Sequence, residues 1–409
     1  MSSRGRSEQY VQELLNRVDW NFVDYNPSER APEVHGLHWY PAPFPPGLAG
    51  TLIEILGDGG TFLDPFSGSG VGPIEAWLRG YKAVGIDVNP MAVRIGQAKA
   101  HLLAAGNASD GESLVEDYSK FRRSRINYYL ECPSEDLCVA AKFEQDAIRW
   151  FTPSVLSELA IIKDWMASSG TVSDWSDVVL VLVSSILHRR LSELRHVHYT
   201  YVVDRSRAKH PPKNTPDPYS EVKKKITSTF IRTEVTRSRL ERAGVFPSSL
   251  QTPPLFVVGN SEKSLSSIDS EVDLVVTSPP YFGMNDYVRS QYLTWLIFPW
   301  DTFDRDVALE IGTRRDRRSA VKMNQYLDSL GVCFKTIGQM LRVGGHAAVV
   351  MGTSHTSAAS VRPEIDDLSA ALSMADLHPI WRGVRRVVYR KINNTPYREE
   401  HIWVMRKGV

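Results

Sequence analysis

Residues 61–87 read TFLDPFSGSGVGPIEAWLRGYKAVGID. TFLD (61–64) is a short apolar strand that stops at FSGSG. GPIEAWLRG (72–80) reads as a helix closed by Gly80, a usual C-terminal punctuation. KAVGID (82–87) is the next strand. Gly68 and Gly70 let the backbone approach a ligand closely and adopt torsions closed to other residues. The second strand ends at Asp87, 19 residues after Gly68. At that spacing an acidic side chain on the next strand tip can bind ribose hydroxyls. Asp64 stands at the carboxyl end of the first strand, the usual mouth of such sheets. A GxG pair alone is weak, and a strand–loop–helix without function stays open. The loop lacks the Gly-Lys-Ser/Thr of a nucleoside-triphosphate loop. Gly68, Gly70 and Gly72 give G-x-G-x-G rather than the dinucleotide pattern, which fits a nucleoside ligand without a pyrophosphate.

The same alternation returns later. LFVV (255–258) and DLVVT (273–277) read as strands with a short helix between them. NQYLDSLGVCFKTIGQML (324–341) has helical apolar spacing, Arg342–Gly345 ends that helix, and HAAVVM (346–351) is the following strand. HPIWRGVRRVVYR (378–390) and EEHIWVMR (399–406) read as two strands joined by a polar loop. Strands alternating with helices predict an α/β fold with a mostly parallel sheet, and the last pair predicts an antiparallel edge hairpin. Three segments follow: 1–105, with an N-terminal helix near 7–17 and the glycine loop; 106–250, a largely helical, basic insertion; and 251–409, the returning strands. Within the insertion, 144–165 places Trp150, Leu156, Leu159, Ile162 and Trp165 at the spacing of a helix packing face.

The chain has 409 residues, 42% hydrophobic and 23% charged, a globular composition able to bury a core. Its formal net charge is +1, so only the distribution of charge bears on nucleic acid. Cys132, Cys138 and Cys333 form no Cys-x-x-Cys pair, and no Cys/His spacing resembles a zinc site, so no metal is expected. His196-x-His198 has nothing near it to complete a site. Sparse cysteine use fits a reducing compartment. MSSRGRSEQY has no apolar signal core, and VVLVLVSSIL (178–187) is too short to span a bilayer and reads as a buried helix. A soluble, cytoplasmic protein with no membrane partner is expected.

A second stretch carries the chemistry. In DLVVTSPPYFGMNDY (273–287) an apolar run stops at Thr277-Ser278, then come two prolines and a tyrosine. It reads either as a sharply turning strand or as a pocket for a flat, amino-bearing group. With DPFSGSG (64–70) and TSPPY (277–281) both in view, the sequence resembles the S-adenosylmethionine-dependent amino-methyltransferases of DNA, of the cytosine-N4 type. HWYPAPFPPGLAGTLIEIL (38–56) resembles the family's segment that closes over the methionine end of the cofactor. Asp87-Val-Asn-Pro90 resembles its ribose turn, and Gly259-Asn260-Ser261 its third cofactor loop, where an Asp is commoner than Asn260. The resemblance covers roughly 35–105 and 251–409.

That resemblance implies a Rossmann-like class I methyltransferase sheet with S-adenosyl-L-methionine as cofactor. The cofactor would be held by Pro43, Phe44, Asp64, Pro65, Phe66, Gly68, Ser69, Gly70, Asp87, Val88, Asn89, Asn260 and Ser261. Ser278, Pro279, Pro280 and Tyr281 would be catalytic. A cytosine amine is a poor nucleophile because its lone pair is delocalised, and acceptors on its protons favour a pyramidal, reactive nitrogen. Ser278 Oγ and the Pro279 carbonyl can be those acceptors, pre-positioned by the restricted Pro-Pro backbone. Tyr281 offers a stacking face, and the base would be flipped out of double-stranded DNA to reach it. Cysteine-dependent carbon-5 chemistry needs Pro-Cys, whereas this chain has Cys132-Pro133.

Asn285, Tyr287 and Arg289 read either as base-pocket or DNA contacts or as ordinary packing. From Arg195 to Arg242 there are twelve Lys/Arg against five Asp/Glu. Within it, RSRAKHPPK (205–213) reads as an exposed basic loop, with Arg205, Arg207 and Lys209 as phosphate contacts. TRRDRR (313–318), with Arg314 and Arg315, and RRVVYRK (385–391) are further basic clusters; solvated surface charge is the other reading of each. Ser278 in place of Asp favours cytosine. The alternatives are an adenine-N6 DNA or RNA amino-methyltransferase, and a catalytically inactive cofactor- or DNA-binding protein. A cognate restriction endonuclease is a possible partner.

Overall fold

A computed structural model of the chain describes residues 6–21, 32–42, 44–192, 216–244, 252–265, 271–352, 361–387 and 398–408. The fold is mixed α/β around one seven-stranded sheet. Its strands are β1 (Thr61–Asp64), β2 (Lys82–Asp87), β3 (Leu255–Val258), β4 (Val272–Thr277), β5 (Leu341–Gly352), β6 (His378–Val387) and β7 (Arg398–Arg406). The order across the sheet is β3-β2-β1-β4-β5-β7-β6. The first five are mutually parallel, and β7 runs antiparallel to β5 and β6.

The strands read as continuous apolar runs because both faces of the sheet are covered. Successive side chains point to opposite sides. Phe62, Leu274, Val276, Ala348, Val350, Ile402 and Val404 pack on one face against Val11, Leu52 and Ile74 of the helices Glu8–Arg17, Pro46–Leu56 and Val71–Trp77. Leu63, Val275, Ala347, Val349, Met351 and Trp403 pack on the other, against Leu330, Phe334 and Ile337 of helix Ala320–Met340. Val275 and Val276 are fully buried, each contributing roughly 1.5–3 kcal/mol by the usual burial scale. A charge at either position would break the sheet's centre.

The segment between β2 and β3 is helical where described: Pro90–Ala105, Ala108–Glu131, Ser134–Ala140, Pro153–Ser168, Ser176–Ile186 and Pro218–Arg242. These helices share an apolar core, and Ala92, Ile95, Ala98 and Leu102 of Pro90–Ala105 belong to it, as do Leu293, Leu296 and Ile297 from beyond β4. The insertion is thereby packed against the helix that follows β2 and the helix that follows β4. VVLVLVSSIL lies in the buried helix Ser176–Ile186. Among the described residues no helix is long and apolar enough to cross a membrane.

Two boundaries differ from the sequence expectation. Residues 342–345 are strand, not helix end: β5 begins at Leu341 directly after the helix. Gly344 takes φ 78°, and the register against β4 slips between Val272↔Leu341 and Leu274↔His346, so these glycines form an irregularity inside the ladder. The 144–165 stretch is broken, with a 3-10 turn at Gln145–Arg149 before the helix Pro153–Ser168. Pro153 sits at the helix start, where a missing N–H costs nothing. Trp150, Leu156, Leu159, Ile162 and Trp165 are all buried.

Candidate active site

The strand order reverses between β1 and β4, and such a switch opens a crevice at the carboxyl ends of the strands. A buried contact ties the two tips together: Thr277 Oγ1 donates to Asp64 Oδ1 at 2.6 Å. The glycine loop after β1 and the Ser-Pro-Pro turn after β4 therefore open on one cavity of about 840 Å³, including its mouth. Phe66, Ser67, Gly68 and Ser69 line it from the loop, Asp87 and Val88 from the end of β2, and Asn260, Ser261 and Glu262 from the turn after β3. Ser278 and Pro280 line it from the end of β4. Tyr40, Phe44 and Tyr287 add aromatic wall, and the rings of Tyr40 and Tyr287 stack at 5.8 Å. Asp87, Glu262 and Glu310 line the cavity, and among the described residues no Lys or Arg does. Its walls suit a cationic ligand with an aromatic part.

The loop's shape is over-determined. Gly70 takes φ 82°, and a Cβ there would lie 2.8 Å from the Phe256 ring and 2.9 Å from Gly96 Cα. Ser67 N donates to Ile86 O at 2.9 Å, pinning the loop to β2. Asp87 clips it from the other side: Oδ2 accepts from Gly68 N and Oδ1 from Asn89 N, both at 2.8 Å. Burial still pushes the Asp87 carboxyl up to about 6, against the lowering effect of those two N–H groups. Beneath the loop, Lys99 of helix Pro90–Ala105 is fully buried, and its Nζ donates to Ser69 O at 2.7 Å and to Ser69 Oγ at 3.2 Å. Burial pulls that ammonium down to about 7.

At the β4 tip, Ser278 Oγ donates to Tyr281 Oη at 3.3 Å. Tyr326 Oη donates to the Pro280 carbonyl at 2.9 Å and holds the turn from helix Ala320–Met340. Behind the cavity, His38 Nε2 meets Ser184 Oγ at 2.8 Å, and Ser184 Oγ meets Thr294 Oγ1 at 2.6 Å. This buried chain joins the segment before the loop, the insertion and the helix after β4. Burial pushes His38 down to about 3, so it serves there as a neutral imidazole.

Of the residues singled out in the sequence, Phe44, Phe66, Gly68, Ser69, Asp87, Val88, Asn260, Ser261, Ser278, Pro280 and Tyr287 line one cavity. Asp64, Pro65, Gly70 and Asn89 stand behind its wall. Asp64 ties β1 to β4, and burial raises its carboxyl to about 7. The Pro65 carbonyl accepts from Ser261 Oγ. Asn89 caps helix Pro90–Ala105 through Met91 N and reaches Tyr287 O at 3.4 Å. Pro279 and Tyr281 are buried beside Ser278, Tyr281 packing in the core with Phe282 and Tyr326. Arg289 begins a 3-10 turn past the cavity. Arg314 N donates to Asn285 O at 3.1 Å, and Arg315 pairs with Asp286 at 3.5 Å, so this basic turn is laced to the segment carrying Tyr287. Pro43, Arg205, Arg207, Lys209 and the His196-x-His198 pair lie outside the described residues. Among the described residues no group of three His, Cys, Asp or Glu is arranged to hold a metal ion.

Sequence reasoning missed Tyr40, Lys99 and Glu310. Tyr40 sits inside the quoted 38–56 segment, where an aromatic before a proline was a usable sign. Lys99 and Glu310 fall in stretches with no motif, and only packing brings them to the site.

Residues 3–98 match the DNA methylase family of N6 and N4 methyltransferases. The match covers the glycine loop and Asp87 and ends before the Ser-Pro-Pro turn. The chain is 22% identical over 403 residues to the type II methyltransferase M.MjaII of Methanocaldococcus jannaschii, covering 80% of this chain and 73% of that protein. It is 25% identical over 130 residues to the type II methyltransferase M.SmaI of Serratia marcescens, covering 32% of this chain and 36% of that protein. A solved S-adenosyl-L-methionine complex from Thermus thermophilus aligns over 37% of this chain and 52% of that one, at 18% identity and a TM-score of 0.23, too slight a likeness to argue from. The matched family and the two relatives support methyltransferase activity of the DNA amino-methyltransferase kind for this chain, with S-adenosylmethionine as its cofactor.

Proposed function

We propose that the protein transfers a methyl group from S-adenosylmethionine to the N4 amine of a cytosine flipped out of double-stranded DNA. The observation that carries this is the shared cavity: Ser278 opens on the same space as Gly68, Ser69 and Asp87. The cofactor fits the residues present, because its sulfonium and ammonium groups meet an aromatic wall with the Asp87 and Glu262 carboxyl groups and, among the described residues, no Lys or Arg. Asp87 would take the ribose hydroxyls, Asn260 and Ser261 the adenine side, and Tyr40, Phe44 and the loop backbone the methionine side. The cofactor supplies an electrophilic methyl group.

The rest is done by the chain. Ser278 Oγ and the Pro279 carbonyl accept the two protons of the target amine, which draws its lone pair out of the ring and stabilises the developing positive charge. Tyr326 fixes the turn by its bond to Pro280 O, so those acceptors need no rearrangement. Tyr281 supports Ser278 from behind, and Tyr287 is the aromatic face in the cavity itself. Ser278 where an Asp is commoner in adenine enzymes favours cytosine. Arg314 and Arg315, laced to the Tyr287 segment, are suited to phosphates flanking the flipped base. By analogy with the type II names of the two relatives, the enzyme would act in the cytoplasm and protect sites cut by an endonuclease of matching specificity.

The test is mass spectrometry of nucleosides from the DNA of cells expressing the chain. N4-methyl-2′-deoxycytidine, absent from cells expressing Ser278→Ala, is expected. N6-methyladenine instead would move the target to adenine, and no methylated nucleoside in DNA or RNA would sink the proposal.

A further inference from the structure

Glu310 follows helix Phe303–Leu309, and no motif accounts for it. It lines the cavity together with Ser278 and Tyr287. Its Oε1 accepts from Val288 N at 2.9 Å. Its Oε2 is buried with no hydrogen bond of good geometry among the described residues, and the backbone N–H of Tyr287 also acts on the carboxyl group. The surrounding backbone is cross-linked: Gly283 N donates to Gly312 O at 2.8 Å and Arg314 N to Asn285 O at 3.1 Å. The carboxyl group is therefore held in place from the backbone, with no side-chain hydrogen-bond partner on Oε2 among the described residues.

The described groups around it leave it without a counter-charge. Asp286 repels it, and Arg315, the cation that acts on it, is engaged by Asp286 at 3.5 Å and by Val307 O at 3.1 Å. Tyr40, Tyr287 and Asp87 line the same cavity, Tyr287 from the backbone segment that bonds the Glu310 carboxyl. Burial first, and Asp286 after it, push the Glu310 carboxyl up to about 8, so near neutral pH it is mostly a neutral acid with one O–H to donate.

We propose that Glu310 is the specificity-determining residue of the base pocket, its Oε2–H donating to the ring nitrogen adjacent to the target amine. This rests on the base-methylating function proposed above. Cytosine N3 beside N4 and adenine N1 beside N6 are both acceptors, whereas thymine, uracil and guanine carry an N–H at that position and meet a donor with a donor. Ser278 and the Pro279 carbonyl would then read the amine, and Glu310 the ring edge next to it.

The experiment uses the full chain, tritiated S-adenosylmethionine and unmodified bacterial genomic DNA, comparing wild type, Glu310→Ala and Glu310→Gln. Cofactor affinity is expected to stay within about twofold in both variants, which also reports that they fold. Glu310→Ala should lose about ten- to a hundredfold in kcat/KM for DNA, the range for leaving a buried polar partner unpaired. Glu310→Gln should recover most of it, because the amide oxygen keeps Val288 N and the amide NH₂ donates permanently. Wild-type kcat/KM should fall above about pH 8 relative to Glu310→Gln; Asp64, Asp87 and Lys99 titrate in both proteins and cancel in that ratio. Full activity in Glu310→Ala would overturn the proposal. So would a Glu310→Gln as inactive as Glu310→Ala with wild-type activity rising through pH 8, since the group would then be a proton acceptor. Lost cofactor affinity in either variant would reassign Glu310 to the cofactor. A wild type that methylates no nucleic acid overturns the proposed function as well, an outcome distinct from a wild-type enzyme indifferent to position 310.

Discussion

Replacing Asp87 by Asn separates what this acid does for the fold from what it does for a ligand. Its oxygens accept from Gly68 N and Asn89 N, both at 2.8 Å. Burial raises the carboxyl from the ordinary 3.8 to about 6, a preference for the protonated form of about 3 kcal/mol. The folded chain therefore binds a proton that the unfolded chain has released. That contribution is complete below pH 3.8 and is lost as pH rises through about 6. Near pH 7.5 the free protein carries the full cost of an ionised, buried acid. Asn removes that cost, but its NH₂ must face one of the two backbone donors, a loss of about 1–3 kcal/mol. The two effects oppose, and the stability of the free protein should change by less than about 2 kcal/mol. Cofactor binding has no such compensation. Losing a charged acceptor for ribose hydroxyls costs about 1.5–3 kcal/mol, or about ten- to a hundredfold in affinity. Wild-type affinity should also fall about tenfold per pH unit below about 6, and that of Asp87→Asn should not. Calorimetric titration with S-adenosylmethionine from about pH 5 to 7.5, beside urea denaturation, reads both quantities. Wild-type affinity in Asp87→Asn at pH 7.5, or a flat wild-type pH dependence, would refute the reasoning.

Ser278→Ala should lower single-turnover methyl transfer by about a hundred- to a thousandfold, the usual effect of removing one preorganised polar group, with cofactor affinity unchanged. A loss of affinity instead would place Ser278 among the cofactor contacts. Gly70→Ala combines a left-handed φ of 82° with a Cβ 2.9 Å from the Gly96 backbone. It should destabilise the protein by about 2–5 kcal/mol, seen as a lower urea midpoint, and a midpoint unchanged from wild type would show the loop to be more pliant than its contacts imply.

The parts legible in the sequence are those governed by local pattern. Gly68, Gly70 and the acid 19 residues on were visible because a strand–turn–strand unit fixes their spacing along the chain. The Ser-Pro-Pro turn was visible because its backbone restriction is written in its own residues. What was not legible depends on packing between distant segments. Glu310 is held at the cavity by Val288 N, and Lys99 supports Ser69 from a helix buried on most of its sides, where a lysine carries no pattern of its own. Asp64 stands at the strand end where the sequence puts it, yet Thr277 and Phe66 N engage its Oδ1 as a brace between strands. Arg342–Gly345 looked like a helix stop because Gly-Gly usually punctuates, whereas here the pair is an irregularity inside β5.

The position of the insertion has a consequence for biosynthesis. β2 ends at Asp87, yet its sheet neighbour β3 begins only at Leu255. A ribosome therefore emits the glycine loop and everything between β2 and β3 before the strand whose following turn, with Asn260 and Ser261, lines the cavity. Until residues near Ser261 emerge, the nascent chain has β2 as a bare edge and only half of its binding cleft. Translation must run past the insertion before the small molecule can help the chain fold, and a transcript broken inside it would yield a fragment with no ligand to rescue it.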